Sequence, residues 1–337
     1  MVRVSEYCSP LEAHLAFPRN DWIDLGRLGS ALAIIWIHTA ESFAGKSFVP
    51  LCRFAIPYFV ASLVFFALQQ RTPLTVETFW SSIRKRTIRL YVPFLSWTAV
   101  YLILRFVKHW MTGGGSPIDV SPALLLNGSA HHLWFLPFAL IVSIVCLLIA
   151  YSMPKTTRGI RWASGCAVIV GGLAVALNSA PVEMDAVRHP VSYFLGLAWD
   201  ATPSVLFAIP LSLWIQSRSP QVPGEVFLIL WVAIAGANFV IGGNAVAATA
   251  SGMSLFVFCW ERGSRPTPLF LAYIARFSFG IYLAHVAIIE LLQVGARHVG
   301  FGITAMSDLV IAALSLFGSV LICVVSHQTR VLRLLFP

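Results

Sequence analysis

Charge is scarce in this chain. Only 11% of its 337 residues are Asp, Glu, Lys or Arg, and acidic residues number 14 against 23 basic ones. Soluble globular domains carry about 25% charged residues, so that class is excluded. Period-two alternation is missing from the apolar runs, which excludes an outer-membrane barrel. Cysteine pattern is missing too. Cys8, Cys52, Cys146, Cys166, Cys259 and Cys323 are scattered without metal-ligand or disulfide spacing, and they read as buried packing residues. No metal-ligand constellation is visible, so no metal cofactor is expected. The first two dozen residues hold Arg3, Glu6, Pro10, Glu12, Arg19, Asp21 and Asp24 without an apolar core, so no cleavable signal peptide is expected. No convincing repeat relates the two halves.

Hydrophobic residues, by contrast, make up 58% of the chain, with a mean hydropathy of +0.80. Apolar runs of about 16 to 23 residues fit helices crossing a hydrocarbon core roughly 30 Å thick. The reading is all-α: a polytopic integral membrane helical bundle of about ten transmembrane helices, with both termini cytoplasmic. The expected spans are 25–44, 50–69, 88–107, 132–152, 160–178, 202–217, 225–242, 244–260, 271–293 and 304–325. Residues 1–24 then form a cytoplasmic N-terminal tail, 25–325 the transmembrane domain and 326–337 a cytoplasmic C-terminal tail.

Lysine and arginine set this orientation. The inner connections collect Arg71, Arg84, Lys85, Arg86, Arg89, Lys155, Arg158, Arg218, Arg262 and Arg265, whereas the outer ones keep Lys46, Arg53, Arg105, Lys108, Arg188 and Arg297. The net charge of +9 is therefore a topology signal. It is split among short loops and forms no single basic face, which argues against nucleic acid as a partner. The longer outer connections, 108–131 and 179–201, are too short for a second folded domain.

Ionisable groups inside the apolar runs are the candidates for function, because at bilayer depth they are costly and rarely accidental. Arg27 and His38 lie eleven residues apart in the first run. At about 100° per residue they share one helical stripe, separated by about 16 Å of rise. His38-Thr-Ala-Glu41 sets a carboxylate one turn beyond the histidine, where it could hold the ring in one tautomer for general-base work or simply close the outer end of the helix. Arg86 and Arg89 share a face at the inner end of the third helix. Two planar guanidinium forks suit phosphate oxygens, and they equally suit an anchor snorkelling to lipid headgroups. His131-His-Leu-Trp-Phe-Leu-Pro137 reads alone as an interfacial aromatic anchor with a helix-start proline. Tyr282 and His285, in Ser278-Phe-Gly-Ile-Tyr-Leu-Ala-His285, sit three apart on the ninth helix, as site residues or as a helix-to-helix hydrogen-bonding pair.

Taken in order, Arg27-x10-His38, Arg53-Phe-Ala-Ile-Pro-Tyr-Phe, Arg86-x-x-Arg89, His132-Leu-Trp-Phe-Leu-Pro and Ser278-Phe-Gly-Ile-Tyr-Leu-Ala-His285 resemble the membrane-bound acyltransferase type 3 family over residues 20 to 325. The resemblance implies transfer of an acyl group, usually acetyl, from cytoplasmic acetyl-CoA to a sugar hydroxyl of an envelope or secreted polysaccharide. It implies His38 as catalytic histidine and Arg27, Arg86 and Arg89 as donor-binding residues. The residues themselves add Glu41 beside His38 as a catalytic candidate, and His132, Trp134, Tyr282 and His285 as acceptor-side candidates, because His131, His132 and His285 face the outer side. The implied partners are acetyl-CoA, a glycan or lipid-linked glycan, membrane lipids and other polysaccharide-synthesis proteins. The implied location is the bacterial cytoplasmic (inner) membrane. His38 would act as general base or as a transient acyl carrier.

Two departures accompany the resemblance. Some family members carry a fused extracytoplasmic domain that completes transfer, and no such domain is expected here. Ala61-Ser-Leu63 stands where a Ser-Gly pair often follows the aromatic run. A glycan exporter is the other reading, for a polar path through ten helices also serves a permease. It predicts helix breaks, for which Trp199–Pro203 and Ala235–Asn238 are candidates.

Overall fold

The computed structural model describes residues 20–69, 75–112, 121–152, 190–217, 223–300, 302–329 and 335–336. Among them there is helix and no strand. The helices are α1 (Asp21–Thr39), α2 (Phe43–Ser47), α3 (Val49–Cys52), α4 (Ala55–Leu68), α5 (Val76–Thr112) and α6 (Leu124–Asn127). A 3₁₀ turn at His131–Trp134 leads into α7 (Phe135–Ser152), followed by α8 (Pro190–Ser217), α9 (Gly224–Val240) and α10 (Ala245–Glu261). The chain finishes with α11 (Leu269–Ala275), α12 (Ser278–His298) and α13 (Ala305–His327).

Among the described residues, six helical stretches are long and apolar enough to cross a membrane: Val49–Leu68, Val76–Trp110, His131–Ser152, Tyr193–Gln216, Ser278–His298 and Ala305–His327. Helices α9 and α10 are apolar but shorter. Helix α1, diluted by Asp24, Arg27 and His38, is not among the six, although it lies in the middle of the bundle. The expected span 160–178 lies outside the described residues. The protein is an integral membrane helical bundle.

Helix α1 is the axis on which the rest is built. Asn20 caps its start, its side-chain oxygen accepting from Ile23 N at 3.1 Å. Ile23, Ala31, Ile34 and Ile35 are buried, and α4, α10, α11, α12 and α13 pack around them. Small residues permit this crowding. A Cβ on Gly26 would strike the Tyr58 hydroxyl, which donates to Ile23 O at 2.9 Å. A Cβ on Gly252 of α10 would stand 2.6 Å from Cβ of Pro57 in α4 and 2.7 Å from O of Phe54, the residue that caps α4. Such backbone proximity suits a bundle whose helices associate by packing and not by a hydrophobic drive.

Two expectations about helix limits are corrected. Helix α1 stops at Thr39: Ala40 donates back to Trp36 O at 3.0 Å while its ψ of 98° turns the chain extended, so Glu41 lies beyond the helix. The two candidate breaks are not breaks. Helix α8 runs unbroken through Trp199–Pro203 and α9 through Ala235–Asn238. A proline removes one helical hydrogen bond, but neighbouring groups in a bundle can make up the loss.

Candidate active site

Polar groups collect at two places along α1. The first lies near its N-terminus. Arg27 Nη1 is paired with Asp24 at 3.0 Å, its Nε donates to Ser62 Oγ of α4 at 3.3 Å, and its guanidinium lies 5.1 Å from the Phe66 ring centroid. Ser62, in the Ala61–Leu63 departure, thus joins Asp24 in orienting Arg27. Arg86 of α5 donates to Phe66 O at 3.4 Å, and Arg89, one turn on, lies within electrostatic reach of Arg27 and Asp24. Arg27 and Arg89 therefore gather around one helix-end carboxylate, with Arg86 within electrostatic reach of Arg89. The excess of positive charge suits a polyanion, because each guanidinium can offer paired donors to phosphate oxygens.

The second place lies at the opposite end of α1. His38 faces His285 of α12 with ring centroids 5.3 Å apart, His132 at 6.0 Å and His131 at 6.2 Å. His132 and His285 are themselves 5.0 Å apart. Residues up to 247 positions apart in sequence are thereby brought into one cluster. His38, His131 and His132 line a cavity of about 230 Å³, together with Arg105 of α5 and Glu290 and Gln293 of α12. Glu290 is paired with Lys108 at 3.7 Å.

The loop before α7 delivers the two adjacent histidines. Gly128 adopts φ 69°, a left-handed conformation that glycine takes without strain, and the chain turns there. Ser129 Oγ donates to Thr98 O of α5 at 2.6 Å and Tyr91 OH donates to Leu125 O at 3.0 Å, pinning the loop to α5. His132 is consequently buried. Its ring meets Tyr101 and Tyr282 edge-on, at 5.3 and 5.5 Å, and its carbonyl accepts from the Tyr282 hydroxyl. His131 is exposed at the mouth, against the Tyr193 hydroxyl.

Of the residues singled out from the sequence, His38 and His132 line the cavity, whereas His285 and Tyr282 stand buried behind it. Trp134 is buried against Phe135 and Phe138. Glu41 is not brought to His38. Its carboxylate pairs with Arg297 at 2.6 Å and its backbone N–H donates to Asp308 Oδ1 at 3.3 Å.

Asp308, in the first turn of α13, carries no motif and was not a candidate. Buried, it accepts from Ser42 N at 3.1 Å and Ser42 Oγ at 2.5 Å, so it clamps the segment that leaves α1 just after His38. Trp36 Nε1 donates to Gly45 O at 3.2 Å and closes the same turn. The only sequence hint was an acidic residue behind Thr304, the cap of α13.

Among the described residues no three His, Cys, Asp or Glu side chains are gathered so as to hold a metal ion. What the cluster offers is proton handling. Three buried ring nitrogens, His132 Nδ1 and Nε2 and His285 Nε2, have no hydrogen-bond partner among the described residues. Each such group costs about 1–3 kcal/mol and is retained at sites of function more readily than elsewhere.

Comparison with known proteins places this architecture. No curated protein and no solved structure matches the chain. The model of a family described as an acyltransferase domain matches residues 20–327, which takes in both polar ends of α1. The chain is a member of the acyltransferase type 3 family, and a membrane acyltransferase.

Proposed function

We propose that this acyltransferase moves an acetyl group from acetyl-CoA to a sugar hydroxyl of an envelope, surface or secreted polysaccharide, in the bacterial cytoplasmic membrane. The observation that carries the reading is the division of labour along α1: three arginines near its N-terminus and a histidine-lined cavity at its other end. The two are separated by about 16 Å of helix rise, so a phosphate-bearing donor and its distant acyl group can engage both at once.

In this reading the N-terminal end of α1 faces the cytoplasm. The CoA phosphates rest on Arg27, Arg86 and Arg89. The thioester reaches His38, and the acceptor enters the cavity past His131 and His132. The oxygen of the acceptor attacks the thioester carbonyl, the C–S bond breaks, and the hydroxyl proton passes through His38 to the departing thiolate. Positioning and proton transfer supply the rate. Tyr282 holds His132 in place from behind by donating to its carbonyl, and Trp134 packs the start of α7 beside it. An exporter finds no support, since the helix breaks that a permease would use at Trp199–Pro203 and Ala235–Asn238 are continuous helix.

The test is acetyl transfer from labelled acetyl-CoA to surface glycan in membrane vesicles carrying wild-type protein or His38→Ala at matched abundance. Label in glycan with wild type and none with the variant is the expected result. Equal labelling, or no labelling together with altered glycan export, overturns the reading.

A further inference from the structure

A catalytic histidine needs a partner that fixes its tautomer, and in this chain the expected carboxylate is elsewhere. Glu41 lies past the end of α1 on Arg297. The polar group nearest the His38 ring among the cluster is the His285 ring, at 5.3 Å between centroids and tilted by 49°. At that separation a nitrogen of one ring can face a nitrogen of the other at hydrogen-bond distance.

The tautomer of His285 is set by its own helix. Nδ1 lies 2.7 Å from Tyr282 O and 3.2 Å from Ile281 O. Carbonyl oxygens only accept, so Nδ1 carries a hydrogen, and in the neutral ring Nε2 holds the lone pair. That Nε2 is buried and has no partner among the described residues. His132 differs. It lies farther from His38, at 6.0 Å, and the backbone acceptor within reach of its ring, Leu283 O, already receives the Tyr101 hydroxyl at 2.9 Å.

The platform under His285 is held from two neighbouring helices. Ser315 of α13 donates to His285 O at 3.1 Å. Tyr101 of α5 donates to Leu283 O at 2.9 Å and accepts from Ala287 N at 3.1 Å. The residue itself is fully buried, and the hydrogen bond to its own helix fixes the ring plane.

We propose that His285 is a positioning residue for His38: when the substrates bind, its open Nε2 lone pair takes the His38 ring N–H, fixes one His38 tautomer and aims the other His38 nitrogen at the acceptor hydroxyl. The inference rests on His38 acting as proposed above. During transfer His285 keeps its Nδ1 hydrogen and exchanges no proton. His38 alone carries the proton from acceptor oxygen to donor sulfur, and its N–H···Nε2 bond strengthens while its ring is positive. A neutral acceptor fits this depth. A carboxylate there would be costly to bury and would hold His38 protonated, whereas an imidazole orients it without adding charge.

Two near-isosteres separate this role from a structural one. Asparagine at 285 can still donate to Tyr282 O from the Nδ1 position but has no acceptor at the Nε2 position; glutamine can return an acceptor there. In purified full-length protein, His285→Asn is expected to lower kcat about 100-fold with KM for acetyl-CoA within about 2-fold, and His285→Gln to recover at least about tenfold of that loss. CoA binding measured by calorimetry is the folding control, because the donor site lies at the other end of α1. The inference is overturned if asparagine serves as well as glutamine, if both variants stay within about 3-fold of wild type, or if KM rises while kcat holds. Activity surviving in His38→Ala would instead remove the reading of His38 on which the inference stands.

Discussion

The two ends of α1 are built on opposite principles. At the arginine end the polar groups are partnered within the bundle: Arg27 by Asp24, Ser62 and the Phe66 ring, Arg86 by the Phe66 carbonyl. At the histidine end, both ring nitrogens of His132 and the Nε2 of His285 have no hydrogen-bond partner among the described residues. A site that grips a permanent charge gains by having its donors aimed beforehand, since less freedom is lost on binding. A site that moves protons needs a lone pair kept open, and the bundle tolerates the penalty there because stable packing surrounds it.

Several substitutions would break or sharpen this contrast. The largest effect is expected from His38→Ala, which should lower acetyl transfer by at least about 1,000-fold while leaving the dissociation constant for CoA within about 2-fold. Comparable loss of both would erase the distinction between the ends. Next comes the paired variant Arg86→Ala with Arg89→Ala. It removes binding common to ground and transition states, so KM for acetyl-CoA should rise about 10- to 100-fold with kcat at saturation nearly constant. Steady-state kinetics over a wide donor range decides that.

Asp308→Asn should act on the histidine end alone. Weakening the clamp on Ser42 loosens the exit from α1 next to His38, with an expected kcat loss of about tenfold and a stability loss of about 1–3 kcal/mol. Thermal unfolding and CoA binding, measured on the same sample, separate the two effects; a raised CoA dissociation constant would contradict the assignment. Ser62→Ala should be milder, raising KM for acetyl-CoA about 2- to 5-fold by freeing Arg27. The smallest effect is expected from Arg297→Gln, which breaks a partly exposed ion pair worth about 0–1 kcal/mol. A large loss of kcat in that variant would return Glu41 to the catalytic site.

Much of this molecule was legible in its sequence. Hydropathy marked the regions of α1, α4, α5, α7, α10, α12 and α13, because spanning a hydrocarbon core demands long apolar runs whatever the neighbours do. Arg27 and His38 stood out by their rarity at that depth. The fate of Glu41 was not legible: three residues after His38 it should have shared a helical face, but α1 ends at Thr39, in a turn clamped by a carboxylate 266 positions away from Ser42. His132 read locally as an interfacial anchor. Only the turn at Gly128 and the tether of Ser129 to α5 carry it inward, beneath Tyr101 and against His285.

The sequence by itself determined the class of the protein, an all-helical membrane bundle, and the few polar residues worth watching, since composition and helical periodicity are local properties. Tertiary structure decided which of those residues meet. Arg27, Arg86 and Arg89 gather because Arg27 of α1 and Arg86 of α5 both reach the second half of α4, at Ser62 and the Phe66 carbonyl, and His38, His132 and His285 because the turn before α7 and helix α12 converge on one end of α1. Which group faces which is set by packing between helices far apart in the chain, and no local pattern encodes it.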